Sequence, residues 1–319
     1  MLNTVFYLVL NMSITSCFVI ALLLLVRQIR LLPRRLIFPL WALAFFRLAI
    51  PFSLPSRLSL FNFTGGLVKK LITVDALTGK HTADAATEEV SLQVMNMIGT
   101  AGQYAPVEYK TEALRHVFTS AAIIWIIIAA ALLLTAVILY YLTGKELKQA
   151  VHIKGDLYRS DMLLSPVLSG LFRPRIIIPD SLDPDSDIGR MILAHERVHK
   201  HRQDNLWRVL GILITCFHWF NPLTWVMLKA FFSDMERSCD ETVILRYNAQ
   251  ERKAYAGALL RFAEDKRLLV SAAFGHSGVK VRIVNVLNYK KLTLIGAAAS
   301  ALLLVAVTVI LLTNPQLRG

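Results

Sequence analysis

The chain has 319 residues, of which 35 are Lys or Arg and 22 are Asp or Glu, so its formal net charge is +13. Hydrophobic residues make up 55% of the chain and charged residues only 18%, too few to cover the surface of a soluble domain. This apolar content also excludes an intrinsically disordered protein. In such a chain a basic excess typically lies beside membrane spans on the cytoplasmic side, so we expect a membrane protein.

Long uncharged runs identify the candidate membrane spans. A helix needs roughly 20 apolar residues to cross a hydrocarbon core of about 30 Å. A weaker candidate, Leu36–Phe52, is interrupted by Arg47. The uncharged runs of sufficient length are Met1–Val26, Val117–Leu142, Val209–Leu228 and Leu292–Leu312.

The basic residues predict the orientation of these spans. Residues 1–52 hold two predicted spans joined by a short link, which contains Arg27, Arg30, Arg34 and Arg35 and is therefore expected in the cytoplasm. Both termini are then outside. The segments that follow are an extracellular loop at 53–116, a span at 117–142, a cytoplasmic domain at 143–291, a span at 292–312 and a short tail at 313–319. This scheme of four spans requires that Val209–Leu228 does not cross the membrane once.

One short motif carries recognisable chemistry. His195-Glu196-Arg197-Val198-His199 matches the HExxH pattern. On a helix the two histidines face the same way and can bind one Zn²⁺ at about 2.0–2.1 Å. Glu196 adjoins the first histidine and can reach a zinc-bound water as general base. The alternative is a surface helix with solvated histidines.

A hydrolytic zinc site also needs a third protein ligand and an open fourth position. Glu236 is the best candidate, because Asp240 follows it by one helical turn. Glu236 can then bind zinc while Asp240 accepts a hydrogen bond from a ligand histidine. The same spacing fits an ordinary acidic helix face. The alternative third ligands that stay open are His201, Asp204 and Glu241.

The third ligand constrains the topology of residues 207–232. A single crossing by this segment would carry Glu236 about 30 Å away from His199, whereas ligand bonds measure about 2 Å. Asn221-Pro222 interrupts the run, and proline removes a helical hydrogen bond and favours a turn. We therefore predict that residues 207–232 form a helical hairpin that dips into the membrane.

A small β-hairpin is predicted ahead of the HExxH motif. Met162–Leu168 is apolar, Ser169-Gly170 is typical of a turn, and a second apolar run follows. In a zinc peptidase an edge strand beside the metal can hold the substrate backbone by β-augmentation. A purely structural sheet is the alternative. The residues of the candidate substrate strand are Arg175, Ile176, Ile177 and Ile178.

Several segments together resemble a known family, the membrane metallopeptidases of the BlaR/MecR antirepressor type. The segments are HERVHKHRQDNLW, HWFNPLTW, ERSCDE, SPVLSGLFRPRIIIP and the run that contains Arg47. The resemblance implies a gluzincin-type zinc site in a cytoplasmic domain among transmembrane helices. It implies His195 and His199 as zinc ligands, Glu196 as catalytic base and Glu236 as third ligand.

The resemblance also implies a bacterial cell membrane location and a protein substrate such as a transcriptional repressor. In the antirepressors an extracellular penicillin-binding domain senses β-lactam. Residues 313–319 are far too few for such a domain, so we do not expect one within this chain.

These observations predict a mainly α integral membrane protein with about four transmembrane helices and a cytoplasmic gluzincin-like zinc metallopeptidase domain. The expected function is a zinc-dependent endopeptidase that cleaves a cytoplasmic or membrane-proximal protein in regulated signalling. The alternative is a membrane receptor or assembly component whose zinc site is structural. Besides substrate and membrane lipid, we count a homodimer among its candidate partners, and we expect no direct nucleic-acid binding.

Overall fold

The structure is a computed structural model that describes residues 2–29, 32–50, 54–55, 112–262, 278–291 and 293–314. Most of the predicted extracellular loop, 53–116, lies outside the described residues, as do Arg30 and most of the predicted tail. The described part is mainly helical and contains a small sheet, as predicted.

The described elements are numbered in chain order. The helices are α1 (Leu2–Val26), α2 (Arg34–Ile37), α3 (Trp41–Ala49), α4 (Glu112–Glu146), α5 (Asp187–Arg202), α6 (Asp204–Phe217), α7 (Pro222–Val243), α8 (Ala249–Arg261), α9 (Val279–Leu287) and α10 (Leu294–Leu312). The strands are β1 (Leu54–Pro55), β2 (Val151–Lys154), β3 (Leu157–Ser160), β4 (Val167–Ser169), β5 (Arg175–Pro179) and β6 (Thr313–Asn314).

Two stretches of the described residues are helical, long and apolar enough to cross a membrane, Leu2–Val26 and His116–Gln149. Large apolar side chains such as Ile127 and Leu134 of α4 are more than half exposed, which suits contact with lipid. The weaker candidate span is divided between α2 and α3 by a 3-10 turn at Phe38–Leu40. Pro39 explains the break, because it cannot donate the helical hydrogen bond.

The four-stranded sheet has the order β2-β3-β5-β4. Strands β4 and β5 form the predicted hairpin, and Gly170 at its turn has a φ of 101°, which glycine tolerates best. Strand β5 also pairs with β3 in parallel, from Ile176 opposite Leu157 onward. It therefore has neighbours on both sides, and the interpretation of Arg175, Ile176, Ile177 and Ile178 as an edge strand for substrate is wrong. The edge strands of this sheet are β2 and β4, and of these only β4 belongs to the hairpin.

Helices α6 and α7 form a hairpin whose turn lies among the long apolar helices. Asn221 caps α7, since its side chain accepts a hydrogen bond of 2.9 Å from the Leu223 N–H, and Pro222 occupies the first helical position. The Asn221 amide donates to the Ser13 hydroxyl of α1 at 2.9 Å. On α4, Trp125 donates to the Phe217 carbonyl at 2.8 Å. The turn thus lies well inside the apolar runs of α1 and α4.

Separate apolar clusters hold the hairpin and the sheet around α5. The largest joins α1, α3 and α7, and Phe231 stacks on Phe38 within it at a centroid distance of 5.4 Å. A second packs Ile176 and Ile178 of β5 on Ile192 of α5. Full burial of each such side chain contributes about 1.5–3 kcal/mol. Helix α5 is therefore fixed between the sheet and the α6–α7 hairpin.

Candidate metal centre

Helix α5 carries the HExxH motif and has well-defined ends. The Ser186 hydroxyl accepts a hydrogen bond of 3.0 Å from the Gly189 N–H, which caps the first turn. Gly189 is required there, because a Cβ would lie 1.9 Å from the Asp183 carbonyl oxygen. At the other end Gln203 adopts a left-handed conformation with a φ of 55° and turns the chain into α6. On this helix His195 and His199 face α7, since the Nε2 atoms of both lie within 3.6 Å of Glu236.

Three nitrogen and oxygen donors converge between α5 and α7. The Nε2 atoms of His195 and His199 are 3.0 Å apart. Oε2 of Glu236 lies 3.5 Å from the first nitrogen and 3.6 Å from the second. Tetrahedral zinc with nitrogen and oxygen ligands at about 2.0–2.1 Å places its ligand atoms about 3.3 Å apart. The donor set therefore fits one face of a zinc coordination sphere.

Two arginines contact the Glu236 carboxylate from different elements. Arg208 of α6 donates a hydrogen bond of 2.7 Å to Oε1. Arg282 of α9 lies 3.3 Å from Oε2. Because Oε1 is held by Arg208, Oε2 is the oxygen that faces the two imidazoles. Sequence reasoning missed both arginines.

The far nitrogen of His195 is held by a buried carboxylate and a tyrosine. Nδ1 lies 3.2 Å from Oδ1 of Asp240 and 2.9 Å from the Tyr255 hydroxyl. Tyr255 donates to the same Asp240 oxygen at 2.8 Å, and Arg282 donates to both carboxylate oxygens at 2.7 and 2.8 Å. Asp240 thus lies where the sequence predicts it, next to a ligand candidate, and its own position is fixed by two further side chains.

The alternative third ligands lie elsewhere. Asp204, fully buried, contacts Nδ1 of His199 at 2.5 Å and accepts a hydrogen bond from Arg202. It therefore orients His199 from the side opposite Nε2 instead of joining the donor set. Glu241 is turned the other way, since it accepts a hydrogen bond of 3.0 Å from the Arg35 N–H. His201 is exposed.

Cys239 is a donor that sequence reasoning did not assign to the site. The ligand atoms of His195, His199 and Cys239 all lie within 4.8 Å of one another, and the three residues are buried. The Cys239 thiol donates to the His195 carbonyl at 3.2 Å. Its position beside Asp240 in ERSCDE was the available signal.

The charges around the imidazoles favour an added cation. Burial lowers the pKa of His195, but Cys239, Asp240 and Glu236 outweigh burial and raise it well above its usual value. The pKa of His199 is raised in the same way, mainly by Cys239 and Glu236 against burial. Burial raises the pKa of Glu236, but His199 and Arg282 bring it well below its usual value. The acidic groups that raise these pKa values would also stabilise a divalent metal ion, although Arg282 already lies 3.4 Å from Nε2 of His195.

Glu196 lines a cavity of about 880 Å³ together with the donor set. The walls are the C-terminal end of α4, the β4–β5 hairpin, α5 and α6. The cavity is therefore large enough for several residues of an extended peptide.

Comparison with known sequences identifies the family. The sequence model described as BlaR1 peptidase M56 matches residues 7–286, most of the chain. The chain belongs to the BlaR1 peptidase M56 family. This confirms the resemblance to the BlaR/MecR-type metallopeptidase family.

One curated relative is similar over part of the chain. The Regulatory protein BlaR1 of Bacillus licheniformis is 33% identical over 171 residues, which are 51% of this chain and 28% of the relative. The aligned part thus spans little more than a quarter of that relative.

Proposed function

We propose that the protein is a zinc-dependent endopeptidase at the cytoplasmic face of a bacterial cell membrane. Its proposed substrate is a cytoplasmic or membrane-proximal protein, such as a transcriptional repressor, cleaved in regulated signalling. The observation that carries this proposal is the spacing of 3.0, 3.5 and 3.6 Å among the donor atoms of His195, His199 and Glu236. These residues are the proposed zinc ligands.

The chain's own residues account for the remaining chemistry. When bound, zinc supplies a Lewis acid that polarises the scissile carbonyl and lowers the pKa of water. Glu196 accepts the proton of the attacking water and passes it to the leaving amine. Asp240 and Asp204 each hold the Nδ1 of one histidine, which would leave both Nε2 lone pairs free to bind zinc.

A buried ion pair supports the cytoplasmic location of the site. Arg27, in the basic link after α1, contacts both carboxylate oxygens of Asp234 at 2.9 and 2.8 Å. Trp41 donates to the same carboxylate at 3.1 Å, and Asp234 is fully buried. Asp234 lies in α7, two residues before Glu236. The metal centre is thus on the same side as the link, which the positive-inside rule assigns to the cytoplasm.

The contacts also support the proposed topology of four spans with an inserted hairpin. Asn221, at the start of α7, contacts Ser13 in the middle of α1, and Asp234, later in α7, contacts Arg27 just after the end of α1. Helix α7 therefore runs beside α1 in the same direction. Helix α6 leaves the metal centre at Asp204, and α7 returns to it. Strand β6, after α10, pairs with β1 at the start of the proposed extracellular loop. Both termini are outside in this topology.

The edge of β4 is the proposed binding line for the substrate backbone. The Asn205 amide donates to the carbonyls of Leu168 and Gly170 at 3.0 and 2.9 Å, so these two carbonyls point away from β5. Within an antiparallel strand the N–H of a residue points to the same side as its carbonyl. The Leu168 N–H is therefore available to an extended peptide, and both residues line the cavity with Glu196.

A second candidate function follows from Cys239. If its thiolate joined His195, His199 and Glu236, the site would have four protein ligands and no open position, as in structural zinc sites. The protein would then be a membrane receptor or assembly component. The 3.2 Å hydrogen bond from the thiol to the His195 carbonyl instead directs Cys239 into the contact between α5 and α7.

The test measures zinc content on the purified full chain in nanodiscs and cleavage products in cells. The proposal predicts that Glu196→Gln binds as much zinc as the unchanged chain but no longer produces cleavage products, which mass spectrometry of cells expressing either form would detect. Arg190→Gln, an exposed change on the same helix, is the matched control. Cleavage by Glu196→Gln at the unchanged rate would overturn the proposal.

A further inference from the structure

Three exposed cations border the cavity that contains Glu196. Arg173 and Arg175 lie on the β4–β5 hairpin, and Lys148 follows α4. Among the described residues none of the three forms an ion pair with a carboxylate. The Arg175 guanidinium lies 5.2 Å from the centre of the Tyr158 ring, and both residues line the cavity. The rim therefore has an uncompensated positive charge.

The interior of the cavity differs from its rim. Its carboxylates, Glu196 and Glu236, both belong to the proposed catalytic site. Its wall between α6 and α7 is apolar, with Val209, Ile212 and Phe232. A second cavity of about 490 Å³ is also lined by Arg173 and Arg175, and its other charged residues, Asp156 and Lys200, form an ion pair with each other. A bound peptide would thus meet an apolar wall near the metal donors and positive charge at the β4–β5 hairpin.

We propose that the cleft selects peptides with an apolar residue beside the scissile bond and acidic residues where the peptide passes Arg173 and Arg175. This inference rests on the proposed peptidase function and specifies its substrate class. The positive charge lies on the proposed substrate path, because the β4–β5 hairpin contains both arginines and the edge strand β4. An anionic lipid surface is the competing occupant, and the test distinguishes it.

The probes are three fluorescent peptide pools with the same randomised apolar centre. Their flanks contain only Asp and Glu, only Asn and Gln, or only Lys and Arg. Binding to full-length Glu196→Gln in nanodiscs of neutral lipid, measured by fluorescence anisotropy, excludes turnover from the readout. Two exposed ion pairs contribute about 0.2–1 kcal/mol each, so the acidic pool is expected to bind about fivefold more tightly than the neutral pool.

Matched variants separate the rim from general charge. Adding Arg173→Glu and Arg175→Glu should reverse the preference towards the basic pool, and Arg173→Gln with Arg175→Gln should abolish it. Arg190→Glu with Lys253→Glu makes the same change in net charge at exposed positions outside the cavity and should leave the preference intact. Unchanged zinc content of each variant shows that the site has folded.

The results of these experiments distinguish failure of the substrate preference from failure of the proposed peptidase function. Equal affinity for the three pools, or an acidic preference that survives charge reversal, overturns the inference. So does a charge reversal that weakens binding to vesicles containing phosphatidylserine but leaves peptide binding unchanged, since the rim is then a lipid contact. If the unchanged enzyme cleaves no pool although the acidic preference in binding holds, the peptidase proposal fails and the binding preference stands.

Discussion

Arg208 donates a hydrogen bond of 2.7 Å to Oε1 of Glu236, and the other oxygen of that carboxylate faces two imidazole nitrogens. Arg208 thereby holds one oxygen of the carboxylate and leaves the other facing the imidazoles, where zinc would bind. Arg208→Gln should free the carboxylate to rotate and weaken zinc binding about 10- to 100-fold, as loss of partners behind metal ligands typically does. Competition with a chromophoric chelator measures the affinity.

Arg190→Gln is the control for this prediction, because Arg190 lies on the helix that carries the histidines but makes exposed contacts with Asp187 and the Asp185 carbonyl. Equal zinc affinity of the Arg208 and Arg190 variants would show that Glu236 needs no help from Arg208.

Asp240 is predicted to matter more than Tyr255 for the orientation of His195. Asp240→Asn keeps the size of the side chain but removes the charge that holds Arg282 and accepts from the imidazole. It should weaken zinc binding about 10- to 100-fold. Tyr255→Phe should have a smaller effect, because the Asp240 carboxylate remains 3.2 Å from Nδ1. A larger loss in Tyr255→Phe would identify the hydroxyl as the principal partner of His195.

Cys239→Ser tests whether the thiol is a ligand. The open site predicts unchanged zinc content and unchanged cleavage, since serine is nearly isosteric and can still donate to the His195 carbonyl. Cobalt substitution gives an independent readout, because a thiolate ligand adds a sulfur-to-metal charge-transfer band in the near ultraviolet. Loss of zinc in Cys239→Ser, together with that band in the unchanged chain, would favour the structural site.

The ion pair between Arg27 and Asp234 is predicted to stabilise the whole bundle. Asp234 is fully buried but Arg27 is 26% exposed, so Asp234→Asn should cost less than the roughly 3–5 kcal/mol that breaking a fully buried pair costs. Thermal unfolding of the full-length protein in detergent would measure the loss. Asp156→Asn is the matched control, because that carboxylate and its partner Lys200 are both substantially exposed. Similar losses in both variants would contradict the prediction.

The sequence predicted what depends on local spacing. The two histidines of HExxH are one helical turn apart, and so are Glu236 and Asp240. The side chains of each pair therefore share a face once the helix forms. The turn of the hairpin was predictable from Asn221-Pro222, which caps α7.

What depends on distant elements was not predictable from the sequence. Arg208 and Tyr255 reach the site from α6 and α8, and no spacing connects them to it. The order of the sheet was missed for the same reason. Strand β4 lies between β3 and β5 in the sequence, but in the sheet β3 pairs with the side of β5 that the hairpin alone would leave as an edge.

Zinc K-edge X-ray absorption on full-length Glu196→Gln tests the central claim most directly, namely that His195, His199 and Glu236 hold a catalytic zinc ion. The account predicts one zinc per chain with only nitrogen and oxygen neighbours at about 2.0–2.1 Å, and loss of zinc in Glu236→Ala. A sulfur neighbour at about 2.3 Å, or full zinc content in Glu236→Ala, would contradict it.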